Sequence, residues 1–435
     1  MTTAPAVGQA VSALRGVRTA AGEPMDLYID DAGLITELHP ASLAPASPAP
    51  GAVEPGAVEP GAVDELTLPG WLVLPSAVEP HAHLDKALSW AVTRAPYGDL
   101  LSAIEAWRHY AQTMTEQDVG RRARRALGMY LAAGFTAVRS HVDLLHDTED
   151  PLRGVRAMLA LREELRDVLD LQICLLASYL VPDKLIEEAL DLGVDVLGGC
   201  AHLAEDPAQE TNRLLDIAQR RDLPVDLHTD EQLDPTVLSI RELAREVSAR
   251  GMRRVTASHC VSLGSLGTET LSEVLDEVRA AGLAVVTLPI TNLYLQGWQS
   301  PSPMPRGLPA VRELLAAGIT VAAGGDNLRD PFNPVGRADP FETTSLLVTV
   351  AHLDARQALH AVTEAGREVL GLPAAGVRPG EVADLVAVRA ADLLDAVAGP
   401  SGSRVVLRRG RVVASTSVDQ RTAVDPGPMP AWRSA

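Results

Sequence analysis

From Trp71 to about residue 372, short apolar runs alternate with helical stretches of about 10 to 15 residues, and this alternation limits the fold more than any other feature. The apolar runs are "WLVLPSAVEPHAH", "FTAVRSHVD", "LQICLLASYL", "DVLGGCAHL", "LPVDLHTDE", "RVTASHCVSL", "AVVTLPITN" and "ITVAAGGDN". Between them lie amphipathic segments such as "RRARRALGMYLAAG", "TNRLLDIAQRRD" and "TLSEVLDEVRAAG". Eight strand-like runs interleaved with helices over about 300 residues predict a (β/α)8 barrel over 71–372, a TIM barrel with its active face at the C-terminal ends of the strands.

The flanks read differently. "ALRGVRTAAGEPMDLYIDDAGLITELHP" has short alternating runs parted by Gly and Asp, and "VRPGEVADLVAVRAADLLDAVAGPSGSRVVLRRGRVV" returns to short strands with Gly turns. The two ends, 1–70 and 373–435, are expected to pair into one small composite β-sandwich domain with the barrel inserted between them. At about 40–65 lies a Pro-, Ala- and Gly-rich insertion containing "GAVEPGAVEPGAVDE". Its proline at every fifth place prevents a helix, and its repeat is too short for a solenoid unit.

Charge and cysteines narrow the partners. The chain of 435 residues has a formal charge of -19 and no basic block, which makes a phosphate-tracking surface and a nucleic-acid partner poor expectations. Cys174, Cys200 and Cys260 have neither disulfide nor zinc-thiolate spacing, and no stretch of about 18 apolar residues runs without charge. A cytoplasmic protein with no membrane segment is the expectation, and a homo-oligomer stays open.

Four strand ends bear metal-ligating side chains. Alternate strand residues share a face, so His81 and His83 both aim into the barrel mouth with Ala82 turned away. His228 ends "VDLH", His259 ends "VTASH", and Asp326 follows "ITVAAGG". Each has an ordinary reading alone, a core histidine or a helix cap. Together they predict a mononuclear site of His81, His83, His228 and Asp326 with room for water. Three imidazoles and one carboxylate suit zinc and ferrous iron alike. A divalent ion would lower the pKa of bound water toward about 7 and provide hydroxide as nucleophile. A second metal would need a bridging group such as a carboxylated lysine on a mid-barrel strand, and neither lysine, Lys86 or Lys184, falls there. Glu231, three residues past His228, is the general acid/base candidate, since a metal alone cannot protonate a leaving nitrogen. His259 would polarise the hydroxide or the developing alkoxide, and Asp326 would take its proton.

The motifs "VEPHAHLDK", "RSHVD", "LHTDE", "VTASHC", "NLYLQG" and "GGDNLRDPFNPVG", in that order, resemble the amidohydrolase superfamily and its bacterial cytosine deaminase branch over nearly the whole chain. The resemblance implies the same four ligands, Glu231 as proton shuttle, His259 assisting the hydroxide, and hydrolytic deamination at a ring amidine carbon. Two positions depart from cytosine deaminases. Ser178 or Tyr179 stands where those enzymes have a pyrimidine-reading glutamine, and Asn327 replaces a second aspartate after the ligand, as in relatives similar to triazine-ring aminohydrolases. The expected substrate is therefore a small nitrogen heterocycle, cytosine or a related amino-pyrimidine or triazine.

Aromatics make up only 3% of the chain, so those falling in mouth loops carry weight. Tyr179, Trp298 and Phe332 are candidates to stack on a flat ring, with Trp90 and Tyr294 behind them, while Gln296 and Asn327 offer amide edges. His141 and Asp143 are expected behind the ligands. Hydrolysis of a cyclic amide or an N-alkylamino substituent is the alternative chemistry, and a catalytically silent scaffold member of the fold is the remote one.

Overall fold

The computed structural model describes residues 5–20, 22–41, 63–300, 302, 304–399, 402–419 and 423. Apart from its ends, the repeat-containing insertion lies outside the described residues. Contacts divide the chain into two units, Met1–Ser76 with Pro373–Ala435, and Ala77–Leu372.

In the second unit eight parallel strands follow one another in chain order: Ala77–Ala82, Phe135–Asp143, Asp170–Ala177, Val196–Gly199, Val225–Thr229, Val255–His259, Ala284–Thr287 and Val321–Ala323. A parallel bridge from Ala82 to Asp326 joins the first strand to the chain just past the last. The sheet thereby becomes a ring, and helices connect its strands, which is the (β/α)8 barrel. The crossover helices follow local rules. Pro207–Arg221 starts where the Asp206 side chain accepts from Gln209 N, with proline in the first turn. It buries Leu214, Leu215, Ile217 and Ala218 and turns Arg213, Arg220 and Arg221 to the acids Asp183, Glu187 and Asp191. Glu116–Ala133 is likewise capped by Thr115 and stops at Gly134 with φ 111°.

The terminal segments form a mixed eight-stranded sheet in the order Arg411–Thr416, Arg404–Arg408, Leu385–Val388, Leu72–Pro75, Ala10–Arg18, Pro24–Ile29, Ile35–Pro40, with Val63–Thr67 parallel to Ala10–Arg18. Ala10 also pairs with Arg411, so the sheet folds back on itself around Leu14, Leu27, Leu385, Val405 and Leu407.

The run from Trp71 to His83 is two strands, where the sequence pattern suggests one entering the barrel. Leu72–Pro75 pairs antiparallel with Leu385–Val388 in the terminal sheet, and only Ala77–Ala82 belongs to the barrel. Pro75 cannot extend a ladder, and the next two N–H groups part company: Ser76 N donates to Asp384 O at 2.9 Å and Ala77 N to Gly134 O at 2.9 Å. Among the described residues no helix is long and apolar enough to cross a membrane.

Candidate active site

Ala77–Ala82 is buried along its length, and its end delivers His81 and His83 to the mouth of the ring. His228 comes from the strand Val225–Thr229, and Asp326 lies three residues past Val321–Ala323, held by the bridge to Ala82 with φ 61°. His259 is also in the left-handed region, at φ 71°. Such backbone in non-glycine residues persists only where surrounding contacts over-determine it.

Four donor atoms converge. His81 Nε2 lies 3.1 Å from His228 Nε2, which lies 3.2 Å from His83 Nε2. Asp326 Oδ1 is 3.2 Å from His83 Nε2 and 3.9 Å from His81 Nε2. An ion with donors about 2.0–2.1 Å away in a tetrahedron sets those donors about 3.4 Å apart, close to the observed spacings. Asp326 Oδ1 is buried with no hydrogen-bond donor, and burial together with neighbouring imidazoles holds His81 and His228 well below their usual pKa, as neutral rings. These residues could hold one divalent cation.

The tautomer of His81 follows from its neighbours. Ser258 Oγ donates to Asp226 Oδ1 at 2.7 Å, so its oxygen accepts from His81 Nδ1 at 3.0 Å and leaves the Nε2 lone pair facing the convergence. Asp226 is fully buried, and its other oxygen accepts from Arg139 at 2.8 Å and lies 3.5 Å from His141 Nε2. His141 stacks on His81 with ring centroids 3.7 Å apart. His202 Nδ1 donates to the carbonyl of His228 at 3.0 Å.

Beside the donors sit Glu231 and His259, with Glu231 Oε1 3.5 Å from His259 Nδ1. Burial, with the charge of Asp326 added, pushes the Glu231 carboxyl well above the usual carboxylate range. Burial also lowers His259 to about 4 and raises Asp326 to about 6. Asn292 Nδ2 lies 3.0 Å from His259 Nδ1; an amide N–H donated there leaves the ring proton on Nε2, which is buried without a partner. Gln296 Nε2 donates to the Glu231 carbonyl at 3.0 Å and fixes that segment.

The site opens into a cavity whose lining includes His83, His228, Glu231, His259, Asp326 and Asn327.

A profile of the amidohydrolase family matches residues 105–414. Over 366 residues the chain is 32% identical to pterin deaminase of Rhizobium rhizogenes (strain K84 / ATCC BAA-868), covering 80% of this chain and 82% of that one. The chain belongs to the amidohydrolase family. N-isopropylammelide isopropyl amidohydrolase of Pseudomonas sp. (strain ADP) is 28% identical, covering 82% of this chain and 89% of its own. The solved structure of 5-methylcytosine deaminase from Klebsiella pneumoniae, liganded with 5-fluorocytosine, superposes with a TM-score of 0.83 at 28% identity, covering 94% of this chain and 99% of that one. This amidohydrolase is an enzyme that hydrolyses carbon–nitrogen bonds.

Of the substrate-contact candidates, Tyr179, Asn327 and Phe332 line the amidohydrolase cavity, as does Ser178. Gln296 and Trp298 are not in its lining. Gln296 is spent on the Glu231 carbonyl, and the Trp298 ring is 48% exposed with its N–H donated to Tyr294 O at 2.6 Å. The short helix Pro289–Leu295 ends just before them, and the chain turns away at Gly297, φ 81°. Asn327 is oriented by its Nδ2–H to Asp330 Oδ2, 2.9 Å.

Sequence reasoning missed Trp107, Asn292 and the Arg139–Asp226–Ser258 chain. Trp107 Nε1 donates to Asp143 Oδ2 at 2.6 Å, and the same carboxylate pairs with Lys86 Nζ at 3.0 Å. A signal existed for Asp226 and Arg139: each stands two residues before a barrel histidine, on the same strand face. Trp107 lies on the helix Leu100–Ala111, which has no such register cue.

Proposed function

We propose that this amidohydrolase hydrolytically removes an amino group, as ammonia, from a small nitrogen heterocycle of the pyrimidine, pterin or triazine class. His81, His83, His228 and Asp326 would hold one divalent ion, Zn2+ or Fe2+. The observation that carries the reading is a buried carboxyl, Glu231, raised above the usual carboxylate range by burial and the charge of Asp326, 3.5 Å from His259 in the lining that also contains His83, His228 and Asp326. Two of the three relatives described above are named as deaminases.

When bound, a divalent ion supplies Lewis acidity and brings the pKa of a water toward neutrality. Asp326, its carboxyl raised to about 6, accepts a proton from the attacking water at Oδ2 and returns it to the departing amine. Glu231 Oε1 protonates the ring nitrogen next to the attacked carbon, and then takes the remaining hydroxyl proton as the carbonyl forms and ammonia leaves, which restores its starting state. The Nε2–H of His259 steadies the oxygen that develops negative charge, with Asn292 fixing the ring through Nδ1. Asp226, through Ser258, holds His81 in its ligating tautomer. Asn327 and Tyr179 contact the heterocycle, with Phe332 against its face.

The test is a panel of aminopyrimidines, pterins and aminotriazines given to metal-replete protein, with ammonia and alkylamine assayed separately. Ammonia from at least one ring supports the reading. Release of alkylamine alone favours the N-alkylamino chemistry in the name of the Pseudomonas relative, and no amine from any ring refutes both.

A further inference from the structure

The cavity changes character away from the donors. The helix Leu100–Ala111 builds one outer wall, with Leu100, Ile104 and Trp107 at the spacing of a single face, all three in the lining. Leu144, Leu145 and Phe332 extend this apolar wall. Arg108 follows Trp107 in the same lining, joined by His146 from the chain after the second barrel strand.

Arg108 lines the cavity without a carboxylate partner among the described residues, whereas several helix arginines of this acidic chain have one. Arg122, Arg213 and Arg241 each hold a carboxylate, at 2.8 Å from Asp118, 2.7 Å from Glu210 and 2.5 Å from Glu277. Among the described residues Arg108 has no carboxylate at ion-pair distance, Glu105 one turn back included, and the His146 ring has no partner either. Of the acids in the lining, Asp143 pairs with Lys86 and accepts from Trp107, Asp147 accepts from the Gln112 amide at 3.4 Å, and Glu231 and Asp326 belong to the donor site. A guanidinium without a carboxylate partner beside an apolar wall is a receptor for a negative charge, and its fork next to an imidazole matches a single carboxylate.

We infer that the substrate is an amino-heterocycle bearing an extended arm that ends in a carboxylate. The stem of the arm lies along Leu100, Ile104 and Trp107, and Arg108 takes the carboxylate, with His146 as an additional donor. The inference rests on the deaminase reading of the floor.

Pteroic acid and its amide, the same pterin ring on the same apolar p-aminobenzoyl arm ending in a charged carboxylate or a neutral carboxamide, provide the probe. kcat/KM by ammonia release is measured for the wild type, Arg108→Ala, Arg108→Lys and, as an equal charge change on an exposed position of another helix, Arg312→Ala. The expected carboxylate-to-carboxamide ratio is about tenfold in the wild type and in Arg312→Ala, reduced in Arg108→Lys and near one in Arg108→Ala. A ratio near one in the wild type, or one that survives Arg108→Ala, overturns the inference while leaving deamination standing. Should neither pterin release ammonia, deamination of this ring class fails, and calorimetric Kd values for the same pair decide the inference. A carboxylate preference lost in Arg108→Ala supports it, and equal affinities, or a preference that persists in the variant, overturn it.

Discussion

Replacing Gly324 with alanine puts a methyl group where the barrel closes. A Cβ there meets Glu79 Oε1 at 2.0 Å, Glu79 Cδ at 3.1 Å and Pro80 Cδ at 3.2 Å, while the φ of Gly324 lies outside the left-handed region, so the obstacle is space and not backbone strain. Glu79 is 1% exposed and accepts from Gly325 N at 2.8 Å and His81 N at 3.2 Å, tying the strand that bears His81 to the segment that bears Asp326. Relief of the contact needs a shift of roughly 1 Å in the carboxylate, which breaks both bonds. Overpacking costs about 1–3 kcal/mol, and each buried N–H left without an acceptor about 1–3 kcal/mol. A loss of about 3–9 kcal/mol results, which at roughly 2 °C per kcal/mol for a domain of this size lowers Tm by about 6–18 °C. Because His81 and Asp326 lose their common anchor, metal content falls as well. Gly325→Ala is the control: its Cβ meets only Glu79 Oε2, at 3.3 Å, and the cost is expected below about 1 kcal/mol. The assay is thermal melting together with metal analysis of the purified variants. A Gly324→Ala protein that melts with the wild type and keeps its metal, or a Gly325→Ala protein that is the worse of the two, refutes this account of the seam.

Other residues make their own predictions. Glu231→Gln keeps the shape but not the proton, so metal content should hold while ammonia release falls about 10²- to 10⁴-fold; turnover near wild type removes the residue from its role. Asp226→Ala leaves Arg139 buried without its acid and is expected to cost about 3–5 kcal/mol in a urea melt, with metal affinity down about 10- to 100-fold as His81 loses its support; unchanged metal affinity would show that the Ser258 relay does not orient the ligand. Trp298→Ala, outside the cavity, should change kcat/KM by less than about twofold, and a larger loss returns the ring to the substrate site.

The fold was legible because strand residues alternate faces and each apolar run is followed by an amphipathic helix. His81, His83 and His228 stand at strand ends, where that alternation aims them inward. Asp326 was singled out by its position after "VAAGG", although its strand stops at Ala323 and the left-handed turn at Asp326 leaves no mark in the alternation. Two kinds of information were beyond the sequence. Contacts such as His81 to Ser258, 177 residues apart, depend on which strands become neighbours across the ring. The directions of Gln296 and Trp298 depend on where a seven-residue helix stops and the chain turns at Gly297. The break between Leu72–Pro75 and Ala77–Ala82 was hidden for a simpler reason: both strands are apolar, and only the partners of Ser76 and Ala77 part them.

The central claim is that His81, His83, His228 and Asp326 hold one ion that powers deamination. Its most direct test is a titration of Zn2+ or Fe2+ into chelator-stripped protein with ammonia release followed on an active heterocycle. The account predicts activity that rises with added metal and breaks at one equivalent; full activity without metal, or a break at two equivalents, contradicts it.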